Sequence, residues 1–423
     1  MRSLGYAEAM GRPPVVAICG SGNAGHALAV ALSQNSEGFV NWLIGSEEKA
    51  DLLRRRTSAP GLRSTGVIKG RADRLRTISS DPAEVIPDAD IVMIAVPAFG
   101  HAAVLNRIKP YVDATTTIGC LPTRGGFEFE VSRLLSGEGF GVRPRLFGLQ
   151  TLPWSTRIVN LGETVNFGAL KAKVVMAALP ADDGPELADQ LSKLLGTKVA
   201  STDGFVNLTL GNPGQYIHPG LMYGHFHAWN GAEYSEDTIP MFYAEATDEM
   251  GQIVEQLSFD AMAVAQRIEE ESYGALDLGD VSPVHEWLQS SYSRVTGDVT
   301  TVATCLRTGP IQARKAPVSE VSPGRFVPDF DYRYLREDIP YGLVVTRAFA
   351  EIADVPTPMI DQVIAWAQSR MKKVYLVDGR LEGPDVRDLP IPQNYDLFTL
   401  ADLFSWYRDY AADSRKSQAD LAP

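Results

Sequence analysis

The sequence predicts an α/β protein whose first half is a doubly wound parallel sheet and whose second half is all helical. Three observations support this fold class. A short apolar run at residues 15–19 meets a glycine-rich turn and then an Ala/Leu-rich segment. Further apolar runs alternate with helical segments up to about residue 200, as in parallel strands joined by helices. From Phe205 onward, apolar residues recur at three- and four-residue steps, which is typical of amphipathic helices.

This periodicity predicts two particular helices in the second half. The segment from Tyr243 to Glu271 carries an apolar stripe that includes Val254, Leu257 and Val264. Residues 397–410 form another amphipathic segment, and the tail from Ala411 is expected to fray.

Length and composition limit the possible functions. With 423 residues the chain exceeds one ordinary domain, so we expect two, comprising residues 1–200 and 201–423. Hydrophobic content of 45% and charged content of 22% describe a globular protein. A net charge of −13 argues against nucleic acid and against anionic membranes as partners. No apolar run approaches the roughly 18 residues of a membrane span.

The N-terminus and the cysteines indicate a cytoplasmic protein. Residues 1–12, MRSLGYAEAMGR, lack the apolar core of a signal peptide and carry an acidic residue, which argues against a transit peptide. Cys19, Cys120 and Cys305 are scattered along the chain, and the first two lie in apolar runs. We therefore expect reduced core thiols in place of disulfides.

The strongest motif follows the first predicted strand. Gly20-Ser21-Gly22-Asn23-Ala24-Gly25 has the G-x-G-x-x-G spacing of a dinucleotide-binding turn. In such turns the first glycine permits the tight bend, the second lets the backbone approach a pyrophosphate, and the third lets the helix pack on the strand. N–H groups at the helix N-terminus then face the phosphates. The motif is weak evidence alone, but its flanking strand and helix favour a bound nicotinamide cofactor.

The second predicted strand, Phe39 to Gly45, leaves the type of cofactor open. Ser46 follows it and is expected near the cofactor, before the acidic pair Glu47-Glu48 and the run Arg54-Arg55-Arg56. An acid at this place takes the ribose of NAD, whereas arginines hold the 2′-phosphate of NADP. A solvated helix face is an equally simple interpretation. We expect NAD, with NADP as the alternative.

A third strand is predicted within residues 88–97, and Val96, Pro97 and Ala98 lie at its carboxyl end. Carboxyl ends of parallel strands line the ligand crevice, so these three residues are expected to contact the cofactor. His101 follows closely, and a role at a helix start or on the surface is the simplest interpretation of it.

Two segments of the second half have unusual chemistry. Residues 211–227, GNPGQYIHPGLMYGHFH, contain three of the six histidines, and residues 331–342, DYRYLREDIPYG, place charges among tyrosines. Hydride reduction of a carbonyl or imine needs a proton donor, and His218 titrates in a suitable range. Asp338 would orient its imidazole, and the fork of Arg333 would bind a substrate carboxylate. These three residues are the candidate catalytic set if the two segments meet.

Other interpretations of these segments stay open. His218 precedes a proline and would also suit a helix cap, and Arg333 with Asp338 would suit an ordinary surface ion pair. His218, His225 and His227 raise the question of a metal site. His225 and His227 are two residues apart, a spacing that fits an aromatic wall better than a metal site. No helical His-x-x-x-His pairing exists in the sequence, so we expect no metal.

These motifs together resemble the octopine/opine dehydrogenases. The resemblance rests on the GSGNAG turn, the LPW segment at 152–154, NPGQYIHPGLMYG and DYRYLREDIPYGL, in that order, and spans about Val15 to Gln368. It implies a Rossmann-type domain followed by a helical opine-dehydrogenase domain. It also implies NAD(P)H-dependent reductive condensation of an α-keto acid, usually pyruvate, with an amino acid. The family's catalytic histidine, arginine and aspartate fall on His218, Arg333 and Asp338.

The resemblance extends to the expected roles. An imine forms from the two substrates and accepts the hydride, His218 manages the proton, and Arg333 anchors a carboxylate. Met222, Tyr223 and Trp229 are expected to line the pocket for the amino-acid side chain, with plain packing as the alternative. The identity of the amino acid and the choice between a monomer and a homodimer stay open.

Two other functions are kept as alternatives. A 2-hydroxyacid or ketopantoate-type reductase has the same architecture, but many such enzymes use a lysine early in the helical domain. No lysine occurs between Lys198 and Lys315. A non-catalytic nucleotide-sensing protein would bind the cofactor without turnover, and the presence of all three catalytic-type residues disfavours it.

Overall fold

The computed structural model describes residues 12–113, 115–135, 143–292, 295–310 and 312–419. Residues 1–11, on which the expectation about targeting mainly rests, lie outside this range. The chain forms two compact units. Within the described ranges, the first contains residues 12–123, Phe127–Leu208 and residues 404–419, and the second contains Arg124–Gly126 and Thr209–Leu403. No helix in the described ranges is long and apolar enough to cross a membrane.

The first unit is built on an eight-stranded sheet, which confirms the predicted α/β class. Its strands and those of a smaller sheet are β1 (Val15–Cys19), β2 (Phe39–Leu43), β3 (Arg63–Gly66), β4 (Leu75–Ser79), β5 (Ile91–Ile94), β6 (Thr117–Cys120), β7 (Arg145–Leu149), β8 (Trp154–Asn160), β9 (Thr164–Leu170), β10 (Val174–Leu179) and β11 (Val199–Thr202). The large sheet has the order β11-β10-β7-β6-β5-β1-β2-β4. Neighbouring strands of this sheet are parallel, except that β7 and β10 pair antiparallel. Strands β3, β9 and β8 form the smaller sheet.

Helices cover the large sheet and make up most of the second unit. Their bounds are α1 (Asn23–Asn35), α2 (Glu47–Ser58), α3 (Pro82–Val85), α4 (His101–Ile108), α5 (Phe127–Leu135), α6 (Gly184–Leu195), α7 (Phe205–Leu210), α8 (Gly214–Phe226), α9 (Asp248–Glu271), α10 (Val284–Tyr292), α11 (Val302–Thr308), α12 (Arg333–Arg336), α13 (Val344–Ala353), α14 (Pro358–Met371) and α15 (Leu400–Ala419). The second unit also contains a hairpin of β12 (Val318–Ser322) and β13 (Arg325–Pro328), so it is not entirely helical as predicted.

The periodic patterns correspond to buried faces. All residues of β1 and β5 are buried, as expected for parallel strands covered on both faces. In α9 the predicted stripe of Val254, Leu257 and Val264 is buried. The helix begins at Asp248, later than the predicted Tyr243, because the Thr247 side chain accepts a hydrogen bond from the Met250 N–H and caps it.

The end of the chain differs from two expectations. The sequence suggests fraying from Ala411, whereas α15 continues to Ala419. Residues 404–419 also pack in the first unit, although the predicted division puts them in the second domain. The ring centroid of Trp406 lies 4.8 Å from that of Phe129, and the Tyr410 hydroxyl donates to the Pro144 carbonyl over 2.9 Å. The amphipathic pattern predicted a buried helix face but not its partner.

A buried carboxylate lies under α15. Glu128 accepts a hydrogen bond of 2.7 Å from the Tyr407 hydroxyl, and its side chain is completely buried. Burial disfavours the carboxylate and raises the pKa of Glu128 to about 7, while the bond from Tyr407 acts in the opposite direction. Because the folded state binds this proton more tightly than the unfolded chain does, the contribution of Glu128 to stability falls as pH rises towards 7.

We therefore expect Glu128→Gln to melt at a higher temperature than the unchanged protein at about pH 8, and the difference to shrink at about pH 5. The amide cannot ionise but still accepts from Tyr407. Thermal denaturation by circular dichroism measures this. Glu84→Gln, which changes an exposed glutamate of the same unit, is the control and should melt like the unchanged protein at both values. A lower melting temperature of Glu128→Gln at about pH 8 would contradict the assignment.

Candidate active site

The glycine turn lies at the point where the sheet changes direction. β1 pairs with β2 on one side and with β5 on the other, and the chain crosses between them after β4. Residues 20–25 follow β1, and Val96 to Ala98 follow β5, so both segments lie at the carboxyl ends of neighbouring strands. Ligands of open α/β sheets bind at such a switch point.

The three glycines of the turn differ in why the fold needs them. Gly20 has φ of +122°, and a Cβ there would lie 2.7 Å from the Ala95 carbonyl oxygen. A Cβ on Gly25 would collide with the Gly20 carbonyl oxygen. Gly22 has an ordinary φ of −83°, and no atom of the described residues beyond its own chain neighbours lies within 4 Å of a Cβ built there. The space beside Gly22 is therefore open, which fits a cofactor pyrophosphate approaching the backbone.

Two residues that sequence reasoning missed hold this turn from inside. The Trp42 indole N–H donates to the Gly20 carbonyl over 2.8 Å. His26 Nδ1 lies 3.0 Å from the Gly22 carbonyl oxygen, and its Nε2 accepts from the Gly162 N–H over 3.0 Å. Burial lowers the pKa of His26 to about 4, so it is neutral at pH 7 and donates from Nδ1. Both carbonyl oxygens, which would repel phosphate, are bonded to interior donors.

The remaining turn residues lie at the start of α1. Ser21 is buried, Asn23 is exposed and Ala24 is partly exposed. Gly22 is the N-cap and offers no side-chain cap, which leaves the N-terminal amides of α1 for an anion. The Asn23 side-chain oxygen accepts from the Ile158 N–H over 2.8 Å. In the β5 segment, Val96 is partly exposed, Pro97 exposed and Ala98 buried.

The stretch after β2 is largely paired with itself. Ser46 caps α2 by accepting from the Lys49 N–H over 3.4 Å. Arg54 is ion-paired with both Glu47 and Asp51. Arg56 also has a carboxylate partner, Glu163, at 3.6 Å. Arginines 54–56 are the possible ligands of the 2′-phosphate of NADP. Two of the three therefore already pair with carboxylates.

The second unit brings the two unusual segments together. His218 lies inside α8, which continues through Pro219, so the helix-cap interpretation is wrong. His218 Nδ1 is 2.8 Å from Asp338 Oδ2. The imidazole stacks on the Tyr334 ring, with centroids 3.9 Å apart and planes 11° apart. The side chain of His218 is 20% exposed, whereas that of Asp338 is 1% exposed.

Charges around this pair define its protonation. Burial alone would raise the pKa of Asp338, but the Arg124 charge and the bond and charge of His218 outweigh burial and keep it below its ordinary value. Burial lowers the pKa of His218, the bond to Asp338 opposes this, and Arg333 and Arg124 lower it further. At pH 7 His218 is therefore neutral, with Nδ1–H donated to Asp338 and the Nε2 lone pair available for a proton.

Arg333 lies beside the pair but is not buried with it. Its side chain is 49% exposed, and its Nη2 donates to Glu337 Oε2 over 3.2 Å. Among the described residues this is its one bond, so the rest of the guanidinium fork can take a carboxylate. The ordinary surface ion pair between Arg333 and Asp338 is not formed, because Asp338 is turned towards His218.

Arg124 is the site residue that sequence reasoning missed. It belongs to the loop after β6, its side chain is 6% exposed, and its Nη2 lies 2.9 Å from Asp338 Oδ1. Its Nε lies 3.5 Å from Glu337 Oε1, and its Nη1 donates to Asn212 Oδ1 over 2.9 Å. The sequence showed only a glycine-rich loop there. No local pattern connects Arg124 with residues more than 200 positions later.

The three expected side-chain pocket residues differ in exposure. Met222 is completely buried, which gives it the surroundings of a core residue. Tyr223 is partly exposed, and its hydroxyl accepts from Gln362 over 2.6 Å. Trp229 is also partly exposed, with the Arg370 guanidinium 5.9 Å from its ring centroid.

The other histidines have separate partners. His225 Nε2 bonds to the Phe242 carbonyl and His227 Nδ1 to the Tyr223 carbonyl. Across the described ranges, no three His, Cys, Asp or Glu side chains are grouped to hold a metal ion. His101 starts α4 as expected, but the surface interpretation is wrong, because it is buried with Nε2 at 3.3 Å from the Cys120 sulfur.

The chain is similar in sequence to known dehydrogenases. A family model described as NAD/NADP octopine/nopaline dehydrogenase, alpha-helical domain, matches residues 201–371. A second, described as NAD-dependent glycerol-3-phosphate dehydrogenase N-terminus, matches residues 15–136. The opine dehydrogenase of Haliotis discus hannai is 30% identical over 91% of this chain and 97% of its own. The octopine dehydrogenase of Mizuhopecten yessoensis is 32% identical over 91% and 97%.

Solved structures show the same similarity. Octopine dehydrogenase with NADH and L-arginine superposes with a TM-score of 0.82 at 27% identity, covering 93% of this chain and 98% of that one. The complex of octopine dehydrogenase with NADH and pyruvate gives 0.80 with the same coverage and identity.

The open space at Gly22 generates a prediction about cofactor binding. We expect Gly22→Val to abolish NADH binding, because the branched side chain would occupy the space, while the melting temperature stays near that of the unchanged protein. Isothermal calorimetry measures the binding. Gly25→Ala is the matched contrast, since its Cβ would collide with the Gly20 carbonyl and destabilise the turn itself. Normal NADH affinity in Gly22→Val would show that the cofactor does not approach this turn.

Proposed function

The chain belongs to the octopine/opine dehydrogenase family, and we propose that it is an NAD-dependent enzyme that joins an α-keto acid to an amino acid. The product is a secondary amine dicarboxylate, formed by reduction of the imine between the two substrates. The observation that carries this proposal is the buried His218–Asp338 pair beside the half-exposed Arg333. Pyruvate is the keto acid we expect, because octopine dehydrogenase has been solved with it.

NAD is the cofactor we expect at the glycine turn, where its reduced form supplies the hydride when bound. Octopine dehydrogenase has been solved with NADH. The ion pairs of Arg54 and Arg56 with carboxylates also favour NAD, since a 2′-phosphate would have to compete for these guanidinium groups. Both pairs are on the surface and individually weak, so NADP is the comparison to make in the assay.

His218 accounts for the proton transfers of imine formation. The amino acid arrives as an ammonium ion, which must lose a proton before its nitrogen attacks the keto carbon. Neutral His218 accepts that proton at Nε2, and Asp338 stabilises the imidazolium. The imidazolium then returns the proton to the hydroxyl of the addition product, which leaves as water. The resulting cationic imine accepts the hydride and becomes the secondary amine.

Arg333 accounts for the binding of the keto acid. A guanidinium fork binds a carboxylate through two parallel bonds, and only one end of the Arg333 fork is engaged by Glu337. A carboxylate on the open end would also lie near His218, because Arg333 directly precedes Tyr334, whose ring stacks on the imidazole. Arg333 thereby orients the carbon that the amine attacks.

The remaining expectations complete the proposal. We keep Tyr223 and Trp229 as candidate contacts of the amino-acid side chain, since both rings are partly exposed. We assign cofactor binding to residues 1–200 and substrate binding to residues 201–403, since the chain end packs in the first unit. Cys19, Cys120 and Cys305 are buried thiols, which suits a reducing cytoplasm. A monomer or homodimer is the expected assembly.

A requirement for an amine separates this function from that of a 2-hydroxyacid reductase. We expect NADH oxidation only when pyruvate and an amino acid are both present, because the imine is the hydride acceptor. The assay follows absorbance of NADH with pyruvate alone and then with a panel of amino acids, including arginine, taurine, alanine and glycine, and is repeated with NADPH. Oxidation with pyruvate alone would favour the reductase. Absence of any rate would favour the nucleotide-sensing alternative.

The role of His218 has its own prediction. We expect His218→Ala to lower kcat by about 10²–10⁴-fold, which is the usual contribution of a positioned acid–base group, with NADH affinity unchanged. Stopped-flow turnover and calorimetry measure the two quantities. His285→Ala is the control, because His285 belongs to the same unit and its ring bonds, among the described residues, to Val299 and Gln289 alone. Turnover of His218→Ala near that of the control would remove His218 from the mechanism.

A further inference from the structure

Arg124 occupies an unusual position for a residue of the loop that follows a sheet strand. Its guanidinium is buried in the second unit and contacts two carboxylates of adjacent residues, Asp338 at 2.9 Å and Glu337 at 3.5 Å. Each of these carboxylates has a second partner. Asp338 bonds to His218, and Glu337 bonds to Arg333. Arg124 is therefore the group that touches both carboxylates.

The contacts form a row of alternating charge. In order they are His218, Asp338, Arg124, Glu337 and Arg333. The two carboxylates balance the two guanidinium groups, so a neutral His218 at the end leaves the row without net charge. Removing a buried central cation would leave two carboxylates facing each other, which is costly in a buried site.

Arg124 also restricts rotation of the group that orients His218. Asp338 Oδ2 bonds to His218 Nδ1, and Asp338 Oδ1 contacts Arg124. A carboxylate held at both oxygens cannot turn about its Cβ–Cγ bond without breaking one contact. The direction of the His218 ring, and hence of Nε2, depends on this arrangement as well as on stacking with Tyr334.

The loop is tied to both catalytic segments. Asn212 Oδ1 accepts from Arg124 and also from the Gly214 N–H over 3.0 Å, at the start of the helix that carries His218. The Gly125 N–H donates to the Tyr341 carbonyl over 3.0 Å. Tyr341 belongs to the π-helical turn Ile339–Leu343 that directly follows Asp338. Arg124 is thus anchored to the segment on each side of the His218–Asp338 pair.

We propose that Arg124 is a positioning residue, which holds Asp338 so that His218 is aimed for proton transfer and holds Glu337 so that Arg333 presents its open end to the keto acid. This inference rests on the proposed function for its kinetic consequences. Its structural consequence, the effect of Arg124 on the His218 imidazole, is measurable without turnover. The role of Arg124 and the proposed reaction can therefore be refuted separately.

Kinetics supply the first test, on the full chain with pyruvate and the amino acid that supports turnover. We expect Arg124→Gln to lower kcat on the order of 10²-fold, since small misplacements of reacting groups have effects of that size. The acid limb of the kcat/KM profile should move to higher pH. Loss of the Arg124 charge raises the pKa of both His218 and Asp338, and each must stay unprotonated for His218 to accept a proton.

Nuclear magnetic resonance supplies the second test, which needs no substrate. The six histidines give few imidazole signals, and the signal missing from His218→Ala identifies His218. We expect this signal to titrate at higher pH in Arg124→Gln than in the unchanged protein. A shifted titration without turnover under any substrate pair would support the role of Arg124 and refute the proposed reaction. Turnover with an unshifted His218 titration would support the proposed reaction and refute the role of Arg124.

Three further variants separate the two halves of the proposal. Arg124→Lys keeps the charge but not the fork, so its acid limb should stay near that of the unchanged protein while kcat falls less than in Arg124→Gln. Glu337→Gln should raise the KM for pyruvate without moving the acid limb, because Glu337 holds Arg333, whereas His218 bonds to Asp338. Arg145→Gln removes another buried, ion-paired arginine, at the start of β7, and should change only the melting temperature.

A merely structural role predicts a different pattern. Arg124→Gln would then lose stability as Arg145→Gln does and keep the acid limb and the His218 titration of the unchanged protein, which would overturn the proposal. If Arg124→Gln does not fold, Arg124→Lys decides. A kcat within twofold of the unchanged protein would overturn the role, and a larger loss at an unchanged melting temperature would support it.

Discussion

A carboxylate buried in a protein interior needs partners that balance its charge, and Asp338 has two. Arg124 lies at one of its oxygens and His218 at the other, both at hydrogen-bond distance. The direction of the imidazole, and hence of its free Nε2, depends on that ionised carboxylate. Burial and the charges of Arg333 and Arg124 keep the imidazole neutral at pH 7, against the effect of Asp338. The nearby Glu337 holds Arg333 in a comparable way at the rim of the site. The proposed proton transfer and the proposed anion binding therefore share one set of charges.

In the first unit, neutral side chains fix the glycine turn as the charged side chains fix Asp338. Trp42 and His26 bond the carbonyl oxygens of Gly20 and Gly22, so these oxygens are directed into the interior. Gly22 keeps open space on the other side of the chain. An anion thus meets backbone without carbonyl repulsion, at the start of a helix that has no side-chain cap. In both halves, interior donors prepare a surface for a charged ligand.

Prediction from the sequence succeeded where patterns are local. The buried strands β1 and β5, the glycine turn and the stripe of α9 follow from short-range periodicity and were all located. The strands of the small sheet were missed, because β3 and β8 are short or partly exposed and carry no apolar run. The chain end was assigned to the wrong unit, since an amphipathic helix does not indicate which surface will cover it.

Residue chemistry alone determined that a dinucleotide turn, a candidate histidine for proton transfer and a candidate arginine for carboxylate binding were available in this chain. Tertiary structure decided which of them act together. It brought His218 within bonding distance of Asp338, left Arg333 half exposed beside them, and inserted Arg124 from a loop that no spacing rule connects with either. The physical reason is that ion pairs form by distance in space, and burial gives them their strength, whereas sequence patterns report only neighbours along the chain.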